Sequence, residues 1–409
     1  MRRCIGMVAL FVVLIACSEP KKTQTLAEGV WRAELMVMDN EVLPFNLKVN
    51  KKDDGSYTMQ VMNAEEVIDV DEISIKGDSI VIQTPVFEGY LAGTFTEKSI
   101  KGEFVKESLD RIVPFTATFG QENRFYSNGP STENVSGIWE THFSPNTEDE
   151  YLGKGIFLQE GDQVTGTFRT TTGDYRYLDG IMEGDSLKLS AFDGSHAFLF
   201  TAKVTDSTMT GTFYSGNHFK EPFSATRNDG FELPSPDSLT FLNEGYDKLA
   251  FTFPDAKGNQ VSLSDERFAN KIVIVQLMGT WCPNCLDETK FLVNYMNENR
   301  NKDLEIIGLA FESAKTEEKA FEGIERLKDR IGVAYPLLLA QYGSYDKAAA
   351  QQKLPMLNRV LSYPTTIFLD KKGEVRKIHT GFNGPATGEK FEEFKKDFHQ
   401  LVTQLTSEE

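Results

Sequence analysis

Four short motifs in the first half of the chain return about 108 residues later, in the same order. The pairs are Gly29-Val30-Trp31 with Gly137-Ile138-Trp139, Lys76-Gly77-Asp78-Ser79-Ile80 with Glu183-Gly184-Asp185-Ser186-Leu187, Ile100-Lys101-Gly102-Glu103-Phe104 with Met209-Thr210-Gly211-Thr212-Phe213, and Val113-Pro114-Phe115-Thr116-Ala117-Thr118 with Glu221-Pro222-Phe223-Ser224-Ala225-Thr226. A spacing this regular predicts two copies of one structural unit, so the chain cannot be a single compact domain.

Each copy consists of short segments with strand-like alternation of side chains, such as Ser79-Ile80-Val81-Ile82, separated by Gly-Asp turns. Neither copy contains a stretch with a clear helical pattern. This pattern predicts two β-rich repeat units, each an antiparallel sandwich or barrel. We expect repeat 1 over residues 29–120 and repeat 2 over residues 134–228. Trp31 and Trp139 are expected to fill the cores of these units rather than to face a ligand.

After a proline-containing spacer at residues 228–237, the pattern changes to alternating strands and helices, which predicts an α/β domain over residues 237–409. We expect a central mixed sheet with helices on both faces. The predicted strands are 251–253, 261–263, 272–278, 304–311, 335–339, 365–369 and 375–380, and the predicted helices are 283–299, 316–331, 345–352 and 388–405.

One pair of cysteines, Cys282 and Cys285, follows the apolar strand 272–278 in the sequence Trp281-Cys282-Pro283-Asn284-Cys285. A buried strand that turns into a helix opened by Cys-x-x-Cys is typical of a redox-active dithiol. Two alternatives remain, a structural disulfide and half of a zinc site. Zinc needs four ligands, and the scattered histidines supply no second paired spacing, so we expect no metal.

The position of Pro283 distinguishes the two thiols. Proline favours the first helical position, which makes Cys282 the helix cap, exposed and next to the positive end of the helix dipole. A thiolate is stabilised there, so Cys282 is the predicted nucleophile. Cys285, one turn inside the helix, is the predicted resolving thiol.

The N-terminus reads as an export signal, with a short basic start and an apolar stretch from Cys4 to Ala16 that is too short to cross a bilayer comfortably. Residues 1–16 are the predicted signal peptide and residues 17–28 a polar tether. The formal net charge is −18, and loss of Arg2 and Arg3 makes it more negative. A chain this acidic is repelled by nucleic acid.

The sequence Leu14-Ile15-Ala16-Cys17 resembles the lipobox of bacterial lipoproteins, which implies cleavage before Cys17 and its acylation. An ordinary signal peptide that happens to end in cysteine is the alternative. Residues 237–409 resemble the TlpA/ResA-type thiol-disulfide oxidoreductases of the thioredoxin superfamily, through Gly279-Thr280-Trp281-Cys282-Pro283-Asn284-Cys285, the helix-bearing insertion before Tyr335-Pro336, and Tyr363-Pro364-Thr365-Thr366. The whole layout is similar to lipoproteins of Bacteroidetes envelopes.

The resemblance implies a thioredoxin-like fold, a cis peptide before Pro364, and dithiol chemistry on the disulfides of other proteins. Trp281, Tyr363 and Pro364 become candidate substrate contacts. Glu288 lies on the same helical face as Cys285 and can accept its proton if burial raises its pKa. The same position in the ResA-type branch carries a functional acid. Alternatively, Asp287 and Glu288 only complement the helix N-terminus.

Two departures from the superfamily pattern bear on the mechanism. Thioredoxin carries an acid six residues before its first active cysteine, where this chain has Gln276, so Glu288 becomes the more important candidate. The Pro-Asn dipeptide between the cysteines lacks a basic group that would strongly stabilise the thiolate, which favours a reductase.

We therefore expect a lipid-anchored thiol-disulfide oxidoreductase of the cell envelope that faces the periplasm, at the outer membrane. It would use the Cys282-Cys285 disulfide and no separate cofactor, act on protein disulfides, and need a membrane electron donor. One alternative is a ligand-binding envelope lipoprotein with an accessory redox domain. Another is a thioredoxin-dependent peroxide reductase, disfavoured because Gly279 and Val275 stand where peroxiredoxins carry threonine and proline.

Overall fold

The computed structural model of the chain describes residues 24–127 and 129–408. Strands β1 to β9 span Gly29–Met36, Val42–Lys51, Tyr57–Asn63, Glu66–Val70, Glu72–Lys76, Ser79–Gln83, Tyr90–Phe95, Ser99–Lys106 and Arg111–Phe119. They form one antiparallel sheet in the order β4-β3-β2-β1-β9-β8-β7-β6-β5. Because the first and last strands pair, this first β unit is barrel-like, and its two edges are β4 and β5.

Alternation of side chains builds the interior of the first β unit. Strand β3, for example, buries every second residue, as expected when one face of a sheet covers a core. Trp31 is fully buried, and its Nε1 donates to the Ala27 carbonyl at 3.0 Å. The predicted tether is described only from residue 24, where Leu26 is buried. The last tether residues therefore pack on the first β unit, because an apolar side chain there gains from burial.

A second β unit follows. Strands β10 to β18 span Gly137–Phe143, Tyr151–Glu160, Gln163–Thr170, Gly173–Asp174, Leu178–Glu183, Ser186–Phe192, Ala197–Val204, Thr208–Ser215 and Phe219–Arg227. Strand β11 pairs with both β10 and β12, so this antiparallel sheet closes into a barrel. Trp139 is fully buried among phenylalanine side chains, and its Nε1 donates to the Val135 carbonyl at 2.8 Å.

The C-terminal domain alternates strands and helices. Strands β19 to β25 span Thr252–Pro254, Gln260–Ser262, Ile272–Met278, Leu304–Phe311, Leu337–Gln341, Thr365–Leu369 and Val375–Thr380, and helices α1 to α4 span Pro283–Asn299, Glu317–Ile331, Lys347–Lys353 and Glu389–Ser407. Single-turn 3₁₀ helices lie at Met38–Asn40, Glu107–Leu109, Pro236–Ser238, Glu266–Phe268 and Pro385–Thr387. Within the described part of the chain, no helix is both long enough and apolar enough to cross a membrane.

The five-stranded sheet of this domain has the order β23-β22-β21-β24-β25. Strands β21, β22 and β23 are parallel, whereas β24 runs antiparallel to β21 and β25. Strand β21 is buried along its whole length and leads into α1 at its carboxyl end. Because Leu277 pairs with Thr365, the start of β24 lies beside the start of α1.

Several predicted elements have the predicted bounds, namely strands 272–278, 304–311, 365–369 and 375–380 and helix 283–299. The strand predicted at 335–339 begins at Leu337, because Pro336 has no N–H to donate to a ladder. The helix predicted at 345–352 begins at Lys347, since the Asp346 side chain accepts the Ala349 N–H at 2.7 Å as its cap. Helix α2 begins after Thr316, which is likewise its cap.

Candidate active site

Cys282 is the cap of α1, as its sequence predicts. Its backbone is extended, Pro283 takes the first helical position, and the Cys285 amide donates to Cys282 Sγ at 3.2 Å. The sulfur of Cys282 thus faces both an amide N–H and the positive end of the helix dipole. Both cysteines are free thiols in this structure.

The two thiols differ in their surroundings. Cys285 is fully buried, and burial raises the pKa of its thiol well above the ordinary value, with a further rise from the hydrogen bond and charge of Cys282. A group in this position needs a nearby base before it can act as a nucleophile.

Glu288 is the candidate for this base, because it lies one turn after Cys285 on α1 and its charge acts on the Cys285 thiol. Its carboxyl is fully buried, and it accepts from Thr366 Oγ1 at 2.5 Å and from Gln276 Nε2 at 2.8 Å. Burial raises the pKa of Glu288 to about 7, although these two hydrogen bonds oppose the rise. Gln276 stands where thioredoxin carries an acid. Here its side chain donates a hydrogen bond that orients Glu288. A carboxyl this buried does not behave as an exposed helix-end charge.

The loop before β24 faces the first cysteine. The Tyr363-Pro364 peptide bond is cis, which confirms that prediction. Cys282 Sγ lies 3.5 Å from the Tyr363 carbonyl oxygen, and the Trp281 ring meets the Tyr363 ring edge-on at 5.8 Å between centroids. Trp281 is held by its Nε1, which donates to the Phe311 carbonyl at 2.9 Å.

The structure thus brings six of the predicted site residues together at the carboxyl end of β21: Cys282, Cys285, Glu288, Trp281, Tyr363 and Pro364. Cys17, the predicted lipidation site, lies outside the described residues. Among residues 24–127 and 129–408, no group of three or more His, Cys, Asp or Glu side chains could hold a metal ion.

A second buried acid, Glu312, was not predicted. It follows β22 directly and accepts from the Thr280 amide at 2.8 Å and from Thr280 Oγ1 at 2.6 Å. Burial raises the pKa of Glu312 to about 7, against the effect of those hydrogen bonds. Glu312 fixes the loop that carries Trp281 and Cys282. Its place at the carboxyl end of a parallel strand next to β21 was the signal that could have revealed it.

The expected exposure of Cys282 is wrong, because only 6% of the residue is accessible. The residues on either side of it contact the second β unit. Ser195 Oγ donates to the Trp281 carbonyl at 2.7 Å. Asn284 Nδ2, between the two cysteines, donates to the Asp174 carbonyl at 3.2 Å. The contacting residues lie 86 and 110 positions earlier in the chain, so no local sequence pattern predicts these contacts.

Arg176 is the centre of this contact and was also missed. It has a positive φ of 65° and is buried, and its guanidinium pairs with Asp287 of α1 and, at 2.6 Å, with Glu66 of the first β unit. Burial would lower the pKa of Arg176, but the neighbouring carboxylates raise it well above its ordinary value. One side chain therefore ties both β units to the helix that carries the cysteines.

The C-terminal part of the chain is similar to known proteins. The family model described as Redoxin matches residues 245–396. The Thioredoxin-like protein YneN of Bacillus subtilis is 28% identical over 140 residues, which cover 34% of this chain and 73% of that protein. The Thiol-disulfide oxidoreductase ResA of Geobacillus kaustophilus is 28% identical over 131 residues, covering 32% of this chain and 66% of that protein.

Among solved structures, the thiol-disulfide oxidoreductase from Bacteroides fragilis aligns with 36% of this chain and 99% of its own, at 21% identity and a TM-score of 0.28. The family match begins after both β units.

The C-terminal domain is a thioredoxin-superfamily domain of the TlpA/ResA type. The chain is an oxidoreductase of the thiol-disulfide class, and this class implies protein disulfides as substrates.

Proposed function

We propose that this chain is a lipid-anchored reductase of protein disulfides in the cell envelope, with Cys282 and Cys285 as its redox-active pair. The asymmetry of the pair carries the proposal. Cys282 Sγ receives an amide hydrogen bond at the cap of α1, whereas Cys285 is fully buried one turn inside. Glu288, with a pKa of about 7, lies on the same helix.

In the proposed cycle, the Cys282 thiolate attacks one sulfur of the substrate disulfide. A mixed disulfide forms, and the other substrate sulfur leaves as a thiolate. Trp281, Tyr363 and Pro364 contact the polypeptide on either side of that disulfide.

The mixed disulfide is then resolved. Glu288 takes the proton of Cys285, and the resulting thiolate attacks Cys282 Sγ. The Cys282-Cys285 disulfide forms, the second substrate thiolate leaves, and the substrate has gained the two electrons that the pair has lost. The cysteine pair itself carries the electrons, so the cycle uses no further cofactor or metal. A membrane dithiol donor then returns the pair to the reduced state.

The lipid anchor rests on the sequence alone. A basic start, an apolar stretch and Leu14-Ile15-Ala16-Cys17 support acylation of Cys17, and several acyl chains give stable anchoring where one is marginal. We place the protein at the outer membrane, facing the periplasm.

The direction of electron flow is tested by the reduction potential of the pair, measured by equilibrating the full chain with dithiothreitol buffers. Because Pro283 and Asn284 add no positive charge between the cysteines, we expect a value near or below that of thioredoxin, about −270 mV. A value near that of a strong oxidant, about −120 mV, would contradict a reductase.

A further inference from the structure

We propose that the second β unit acts as a strap over the dithiol. The strap consists of residues 172–176 and Ser195. It occupies the face on which a substrate disulfide must land, and it has to move away before Cys282 can attack a polypeptide. This inference rests on the proposed function of the Cys282-Cys285 pair and adds a control of access to it.

The strap contacts three loops of the C-terminal domain, two of which adjoin Cys282. Ser195 Oγ donates to the carbonyl of Trp281, directly before Cys282. Ser362, which precedes the cis peptide, donates from its Oγ to the Thr172 carbonyl at 2.9 Å. The Gly384 amide, after β25, donates to Asp174 Oδ2 at 2.6 Å. A polypeptide approaching these loops from the side of the second β unit meets the strap first.

Two glycines, one in the strap and one in the C-terminal domain, allow the strap to pack directly against that domain, because neither has a side chain. A Cβ on Gly173 would lie 2.2 Å from Asn284 Nδ2, and a Cβ on Gly381 would lie 2.7 Å from the Thr172 carbonyl carbon. Both glycines have φ values that side chains rarely adopt, +142° and +77°. Contact this close leaves no room for a substrate chain between the strap and either Asn284 or Gly381.

Arg176 latches the strap to the helix. It pairs with Asp287 of α1 and with Glu66 of the first β unit, and its Nε lies 3.6 Å from Asp193 Oδ2. Asp174 also contributes a buried carboxylate. One guanidinium thus faces four carboxylates, and a buried ion pair loses in desolvation much of what it gains in attraction.

The contact also leaves polar groups unsatisfied. Among the described residues, Asn284 Oδ1 is buried without a hydrogen bond, and Arg176 Nε and Asp193 Oδ2 face each other as an ion pair but make no hydrogen bond. Permanent interiors pair such atoms, because an unpaired buried polar atom loses its hydration without compensation. This pattern fits a surface that also spends time in water, as a strap that opens would.

The test compares how fast Cys282 of the reduced full chain is alkylated by iodoacetamide and by a maleimide carrying a long polyethylene glycol chain. Mass spectrometry of the Cys282 peptide follows both reactions. Arg176→Gln and Ser195→Ala loosen the strap. We expect the bulky reagent to react roughly two- to tenfold faster with Ser195→Ala, the effect of one lost hydrogen bond, and faster still with Arg176→Gln.

Matched controls come from the contact between the two β units, away from the dithiol. There Arg124 is a buried arginine that donates to the Ser190 carbonyl at 2.9 Å, and Ser190 Oγ donates to the Pro44 carbonyl at 2.6 Å. Arg124→Gln and Ser190→Ala should leave the alkylation of Cys282 as in wild type.

The strap is overturned if Ser195→Ala reacts no faster than Ser190→Ala, or if wild type reacts with the bulky reagent as fast as an unfolded chain does. If Arg176→Gln fails to fold, the comparison of Ser195→Ala with Ser190→Ala tests the strap proposal by itself. Insulin reduction by the same proteins separates the two proposals. Faster alkylation with no disulfide reduction in any variant keeps the strap and removes the proposed function.

Discussion

Glu288 is the residue on which the proposed resolution step depends. Burial raises the pKa of its carboxyl to about 7, while hydrogen bonds from Thr366 and Gln276 hold it in place. A base with a pKa near the ambient pH is well matched to proton transfer. The neutral donor Gln276 orients this acid without titrating itself.

The pH profile of insulin reduction should reveal Glu288. A carboxyl must be deprotonated to accept a proton, so resolution by wild type should become faster as the pH rises through about 7. Glu288→Gln removes the base, should lose that inflection, and should slow resolution roughly 10²- to 10⁴-fold. Stopped-flow measurement of product thiol release between pH 5 and pH 9 would give the profile.

Glu312→Gln is the matched control, because Glu312 is also buried and its pKa is also about 7. It contacts Thr280 rather than the Cys285 side of the site, so its variant should keep the inflection. If Glu288→Gln retains the inflection and Glu312→Gln loses it, the base has been assigned to the wrong acid.

Most site residues could be predicted from the sequence because their signals are local. The cysteines, Pro283 and Glu288 share one helix, and Pro364 precedes the strand next to it. Arg176 could not be predicted, since it lies 111 positions from its partner Asp287. The burial of Cys282 was mispredicted as well, because it depends on tertiary packing that the sequence around the helix cap does not specify.

At the scale of elements, close approach of strands explains part of the motif that recurs in the two β units. A Cβ on Gly102 in β8 would lie 1.9 Å from the Ala92 carbonyl oxygen, and a Cβ on Gly211 in β17 would lie 2.2 Å from the Thr201 carbonyl oxygen. The two glycines are matching positions of one recurring motif. In both sheets, the backbone of the neighbouring strand occupies the space that a side chain at the glycine would need.

Gly102→Ala and Gly211→Ala should therefore each reduce the free energy of unfolding by about 1–3 kcal/mol, as overpacking does. Urea unfolding followed by circular dichroism measures the change. A Cβ on Gly230 would meet its nearest neighbour at 3.7 Å, so Gly230→Ala should stay within about 0.5 kcal/mol of wild type. Equal stability of all three variants would rule out this packing explanation.

The elements themselves were largely predictable, because a buried strand such as β21 and a capped helix such as α1 are specified by short stretches of sequence. The closure of the second β unit through β11 and β12 was not, since a barrel and a sandwich share the same alternation of side chains. Strand ends moved by one or two residues where a proline or a cap decided them, as at Pro336 and Asp346.

At the scale of the whole molecule, the two β units do not hang freely from the C-terminal domain. Arg326 of α2 donates to Glu72 of the first β unit at 3.0 Å, and Arg169 of the second donates from Nε to Asn383 Oδ1 at 3.1 Å. Such contacts form between surfaces that exist only once each unit has folded. The units could therefore be predicted from the sequence, but their arrangement could not.

Cys17→Ala tests the anchor. Without the cysteine that carries the acyl chains, the protein should leave the membrane fraction or accumulate unprocessed, because the remaining chain is strongly acidic. Labelled palmitate and membrane fractionation in the native cell measure both effects, with Cys282→Ser as the control that keeps the anchor. Wild type that takes up no label would contradict the lipoprotein assignment.

The most direct test of the dithiol mechanism is the capture of mixed disulfides in cells. Cys285→Ser keeps the attacking thiol and removes the resolving one, so it should accumulate mixed disulfides with substrate proteins. Dithiothreitol should reduce these complexes and release the substrates. Cys282→Ser should collect none and should reduce no disulfide, because Cys285 is fully buried. Complexes on Cys282→Ser and none on Cys285→Ser would contradict the assigned roles of the two cysteines.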